Sequence, residues 1–162
     1  MTVQSFDHER LDVYRLSIDY IARSFEASQP LEGLYRHARG QWLLAAQSIP
    51  LNIAEGNGKR SLKDRARFLD IAPGSALECA AIQDVLVTTK GIKKEDDAVM
   101  KAMLHRIVAM LTRMAMKFDG VAETGAEYDV ENAEIDYDYE HRVAEHEHET
   151  QNRRNARTKP CT

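Results

Sequence analysis

Five side chains in the middle of the chain have the types and spacing to do chemistry. Ser48, Asn52 and Glu55 fall at i, i+4 and i+7, so on a helix they share one face, and Ser75 and Glu78 lie on what reads as the next helix. Brought together, Glu55 and Glu78 would form a carboxylate pair of the kind that general acid–base catalysis employs. The same five residues also suit a structural polar layer. In that reading Ser48 and Asn52 bond to backbone freed by Pro50, while the glutamates pair with Arg60 or Arg67 and fix the register of two helices. Such groups cost about 1–3 kcal/mol each when buried without partners, so a network satisfied internally is the expectation and catalysis the lesser reading.

Other chemistries find less support. A di-iron bundle needs a glutamate from each of two helices and Glu-x-x-His from the other two. The apolar-periodic segments contain no Glu-x-x-His, and Glu145-x-x-His148, beside His141 and His146, stands far downstream of them. Gly56-Asn57-Gly58-Lys59-Arg60-Ser61 lacks the spacing of a phosphate loop and the strand that should precede it. No serine, histidine and acid are spaced as a nucleophilic set. The sequence therefore implies no enzyme, no cofactor and no metal.

Positive charge is the more serious functional signal. Arg36, Arg39, Lys59, Arg60, Lys63, Arg65 and Arg67 face only Glu55 and Asp64 over the same stretch, a local net of +5. Such a cluster suits phosphate contacts, which give sequence-independent, salt-sensitive affinity for nucleic acid. A solvated helix face accounts for these charges about equally well.

These residues need elements to position them. Leu11, Tyr14, Ile18, Ile21 and Phe25 recur at spacings of three and four and predict a bundle helix over about 8–27. Leu34, Ala38, Trp42, Ala45, Ile49 and Ile53 predict a second over 31–56, with a kink at Pro50 and a left-handed stop at Gly56 and Gly58. Ser61 with Asp64 reads as a capping box opening a third helix to about Thr89, striped by Phe68, Ile71, Ala72, Ser75, Cys79, Ile82 and Leu86. A second kink is expected near Leu69 to Pro73, and Gly91 ends the element. Met100, Met103, Leu104, Ile107, Met110, Leu111, Met114 and Phe118 mark a fourth helix over about 95–118, closed by Gly120. Short connections between four such segments predict an all-α, up-down-up-down four-helix bundle over residues 1–119.

The 162 residues, 43% hydrophobic, suffice for one core. Residues 120–162 carry eleven acids against five bases, which leaves the body mildly basic within a total net charge of -4. Without an apolar stripe, that segment reads as a disordered acidic tail, and it is expected to compete with nucleic acid for the basic face. Two cysteines, Cys79 and Cys161, make no disulfide framework, and no apolar run is long enough for a leader or a membrane span. A cytoplasmic protein is the expectation.

The run Ser48-Ile49-Pro50-Leu51-Asn52-Ile53-Ala54-Glu55-Gly56, followed by Ile71-Ala72, Gly74-Ser75 and Glu78, resembles the four-helix-bundle family encoded in intervening sequences of bacterial large-subunit ribosomal RNA genes. The likeness extends from about Phe6 to Phe118. The accessory variability proteins of diversity-generating retroelements are similar to that family, and they assemble as cyclic pentamers that contact a reverse transcriptase and nucleic acid through basic surfaces. Where the family usually has Gly-Leu before its glutamine and arginines after it, this chain has His37-Ala38 before Gln41 and Trp42-Leu43-Leu44 after it. Trp42 is expected in the core; an exposed Trp42 or Leu43 would instead build a hydrophobic subunit contact. The resemblance thus implies a ring-forming, pentameric scaffold whose partners are further copies of itself, RNA or DNA, and a reverse transcriptase. The rival reading is a protein–protein adaptor that binds no nucleic acid.

Overall fold

The computed structural model describes residues 5–123. Four helices fill that span: α1 (Asp12–Ser28), α2 (Arg36–Asn57), α3 (Leu62–Thr88) and α4 (Lys94–Glu123), with one-turn 3-10 segments at Asp7–Arg10 and Gly33–Tyr35. No strand occurs among the described residues. Helix α2 packs on α3, α3 on α4, and α1 on both α2 and α4, so the four close into a bundle. Short connections make sequential helices antiparallel. The direction shows in two contacts: Tyr35, before α2, donates its hydroxyl to the Thr89 carbonyl at the end of α3, and Arg65, in the first turn of α3, lies 5.3 Å over the Phe118 ring near the end of α4. The acidic tail expected over 120–162 lies outside the described residues from position 124 on, as do Cys161 and the Glu145-x-x-His148 match.

Helix α4 buries Met100, Leu104, Ile107, Leu111 and Met114 of the stripe its sequence predicts and leaves Met103, Met110 and Phe118 half-buried, and it runs past Gly120 to Glu123 instead of stopping there. On α1 the buried face is displaced from the expected one. Val13, Ser17, Tyr20, Ser24 and Ser28 point inward, while Ile18 and Phe25 remain 43% and 44% exposed. The serines fit inside because each hydroxyl donates to a carbonyl one turn back, Ser17 to Tyr14, Ser24 to Tyr20 and Ser28 to Phe25, at 2.6 to 3.0 Å. With their polarity satisfied locally they serve as small residues that admit close neighbours. Leu34, expected in the α2 stripe, is fully exposed in the 3-10 turn before that helix, and Ile71 of the α3 stripe is also exposed.

The glycines act differently from the expected stops. Gly56 is helical and buried, and a Cβ there would come within 2.9 Å of the Phe68 Cβ, so its function is to let α2 approach α3. Gly58 has φ -77 and is not left-handed. Both α2 and α3 continue through Pro50 and Pro73 as single helices. Ser61 caps α3 by accepting from the Asp64 amide at 3.3 Å.

The end of α3 is closed by two bonds of altered spacing, from the Gly91 amide to the Leu86 carbonyl at 2.7 Å and from the Lys90 amide to the Val87 carbonyl at 3.0 Å. This closure requires a left-handed residue, usually glycine. Here Lys90 adopts it, with φ 63, at a cost of about 1–2 kcal/mol for a side-chain-bearing residue. Glycine sits one place later because a Cβ at Gly91 would lie 3.2 Å from each of Leu31, Leu86 and Tyr35.

Candidate nucleic-acid interface

The polar layer forms around three of its five expected members. Asn52 Nδ2 donates to the Ser48 carbonyl at 2.8 Å and to Ser48 Oγ at 3.0 Å, and Ser75 Oγ reaches Ser48 Oγ across the helix pair at 2.9 Å. The carbonyl engaged is Ser48's own, not that of Ala46, which is the one that Pro50 leaves without an amide partner. Glu55 is exposed and pairs with Lys59 at 3.1 Å, one turn on in the same helix, in place of Arg60 or Arg67. Glu78 is exposed too. The Ser48–Ser75 bond and the approach of Cys79 Sγ to the Trp42 carbonyl fix the antiparallel register. Glu78 is therefore level with Leu44, about 16 Å along α2 from Glu55. The two carboxylates do not converge on one reacting atom.

A second polar cluster lies deeper and was not marked by the sequence. The Tyr20 hydroxyl of α1 accepts from Trp42 Nε1 of α2 at 3.0 Å and from Gln83 Nε2 of α3 at 2.6 Å, and all three side chains are fully buried. Burial pushes the Tyr20 hydroxyl well above the usual phenol range and the neighbouring Cys79 thiol up to about 12, so both stay neutral. Trp42 is thus a core residue, as expected, and unavailable as a subunit contact. Gln83 Oε1 has no partner among the described residues. The only advance signal was the chemistry of Tyr and Trp, whose polar ends seek partners when buried.

The seven expected basic residues do not make one patch. Helix α2, 22 residues long, places its two ends about 33 Å apart. Arg36 and Arg39 stand at its start, beside the α3–α4 connection, whereas Lys59, Arg60, Lys63 and Arg67 stand at the opposite end of the bundle. Arg65 turns inward: its guanidinium donates to the carbonyls of Asn57 and Lys59 at 3.0 and 3.2 Å and stacks on Phe118. It closes the end of α2, and burial lowers its pKa from the ordinary arginine value. Lys59 is held by Glu55 and lies 4.7 Å over the Phe68 ring. Arg60, Lys63 and Arg67 are exposed and enter no ion pair among the described residues. Lys63 and Arg67 are one turn apart and share a face of α3.

No group of three potential metal ligands gathers among the described residues, and no helix there is long and apolar enough to cross a membrane. The arrangement defines a helical bundle whose polar layers lock helices together, with charge displayed at two separate ends. The chain belongs to the 23S rRNA-intervening sequence protein family, whose sequence pattern matches residues 9–113. It is similar in fold to a crystal structure of a protein with unknown function from the S23 ribosomal protein family of Bacteroides thetaiotaomicron. That structure shares 22% identity with a TM-score of 0.58, over 64% of this chain and 97% of the other. No curated protein matches the chain.

Proposed function

We propose that this chain is a non-enzymatic, cytoplasmic scaffold that self-associates and binds RNA, or a nucleoprotein such as a reverse transcriptase complex, through its basic α2–α3 end. The observation that carries the reading is the set Arg60, Lys63 and Arg67: three exposed cations within two turns, without carboxylate partners among the described residues, while Arg65 of the same run serves as a structural cap. Cations presented this way suit phosphates, which require charge and reach but no particular base. Self-association into a ring, a pentamer by resemblance, is supported by large apolar side chains left in solvent, among them Ile18 and Phe25 on α1 and Leu44 and Leu51 on α2. Repetition around a ring would multiply the basic surface.

Those same apolar side chains favour a second reading, a protein–protein adaptor without nucleic-acid binding. Titration of the full-length protein with single-stranded RNA separates the two. RNA binding predicts an affinity that falls steeply between about 50 and 200 mM salt, with the salt slope reduced by about 2 to 3 in R60Q/K63Q/R67Q. A salt-independent interaction, or a triple variant that matches the wild type, would replace the RNA reading with the adaptor.

A further inference from the structure

At the opposite end of the bundle from Arg60, Lys63 and Arg67, a cleft of about 820 Å³ opens between the last turns of α1, the α3–α4 connection and the start of α4. That volume lies within the range of small-ligand sites. Four cations from three elements converge on it: Arg23 from α1, Lys90 and Lys93 from the connection and Lys94 from α4. Glu26 and Asp96 line the same cleft, yet none of the six enters an ion pair among the described residues. The next acid, Asp97, is directed elsewhere and pairs with Lys101 at 3.3 Å. The cleft therefore holds a net charge of +2 that no ion pair among the described residues neutralises. Its wall is apolar where Val87 and Val99 contribute. Lys90 supplies one of the ammonium groups from the left-handed position that closes α3.

We infer that this cleft binds a nucleoside phosphomonoester, its phosphate held among Lys90, Lys93, Lys94 and Arg23 and its flat apolar part against Val87 and Val99. A phosphomonoester carries about -1.5 to -2 charge near neutral pH, which matches the surplus in the cleft. A diester or a neutral nucleoside matches it less well. The ligand could come from two sources with the same chemistry, a free mononucleotide or the 5′-phosphorylated end of an RNA. The inference does not rest on RNA binding at the α2–α3 end, because a free nucleotide can fill the cleft of a protein that never engages an RNA chain.

The test is calorimetric titration of the full-length protein with AMP, with adenosine, and with a short single-stranded RNA in 5′-phosphorylated and 5′-hydroxyl forms. The phosphorylated probe of at least one pair is expected to bind at least about tenfold more tightly than its unphosphorylated twin. An advantage for AMP marks the free nucleotide as the source; an advantage confined to the RNA pair marks the RNA end. The advantage should disappear in K90G/K93Q/K94Q and persist in R60Q/K63Q/R67Q, which separates this site from the RNA-binding surface. E26Q/D96N, which only removes negative charge, should tighten binding of the favoured phosphorylated probe several-fold and keeps the test decisive if the lysine variant misfolds. Equal binding within both pairs, an advantage that survives loss of the three lysines, or no gain in E26Q/D96N would overturn the inference.

Discussion

Replacement of Trp42 by alanine is expected to cost about 3–5 kcal/mol of folding stability, the range for emptying a large buried aromatic site. The indole is fully buried where α1, α2 and α3 meet, and its Nε1 is 3.0 Å from the Tyr20 hydroxyl. Truncation therefore opens a cavity and removes one of the two donors that Tyr20 accepts. A domain of this size is stable by only about 5–15 kcal/mol, so the variant should unfold at a much lower urea concentration or fail to fold at all. Trp42→Phe separates the two contributions, because it keeps most of the ring volume and loses only the N–H and the second ring. Its expected cost is about 1–3 kcal/mol. If urea midpoints show Trp42→Ala to be as stable as the wild type, the indole does not occupy the core.

Tyr20→Phe is expected to cost about 2–4 kcal/mol although it deletes a single oxygen, because it strands two buried donors, Trp42 Nε1 and Gln83 Nε2. The buried amide of Gln83 already has an unpartnered oxygen, so after the substitution its side chain would have no partner at either end. Adding Gln83→Leu to Tyr20→Phe should then recover part of the loss, since removing both partners of a buried bond is less damaging than removing one. Strictly additive costs in that double-mutant cycle would sink the network. The same cluster sets an alkaline limit. Burial raises the folded-state pKa of Cys79 from 9.0 to about 12, so its stabilising contribution is complete below pH 9 and is lost as pH climbs from there toward 12. Tyr20, also raised by burial, acts in the same direction from its ordinary value of 10.0 upward.

The parts of this architecture legible in the sequence were those where apolar residues alone carry the packing. Met100, Leu104, Ile107, Leu111 and Met114 could be placed from periodicity because α4 buries little else. On α1 periodicity selected Ile18 and Phe25, which are large and apolar but lie partly in solvent, and passed over Ser17, Ser24 and Ser28. A hydroxyl that bonds its own helix hides its polarity, and nothing in residue type announces that. Glycine was ambiguous for a related reason: Gly56 permits close approach and a left-handed turn equally, and only the position of Phe68 decides. The basic run misled because closeness along the chain ignores the length of the helix between Arg39 and Lys59. Among the candidate site residues, Ser48, Asn52 and Ser75 meet as their spacing suggested, while the roles of Glu55, Glu78 and Arg65 depended on turns and neighbours that the spacing does not encode.

Cys79 is wholly buried, with its sulfur against the Trp42 carbonyl. A thiol so enclosed and so weakly acidic presents almost no reactive thiolate to an alkylating reagent while the helices stay together. Its modification must await separation of the bundle, so the rate at which Cys79 becomes labelled in native buffer reads out how often the protein breathes open. The chain thus carries its own chemical clock for the integrity of its interior.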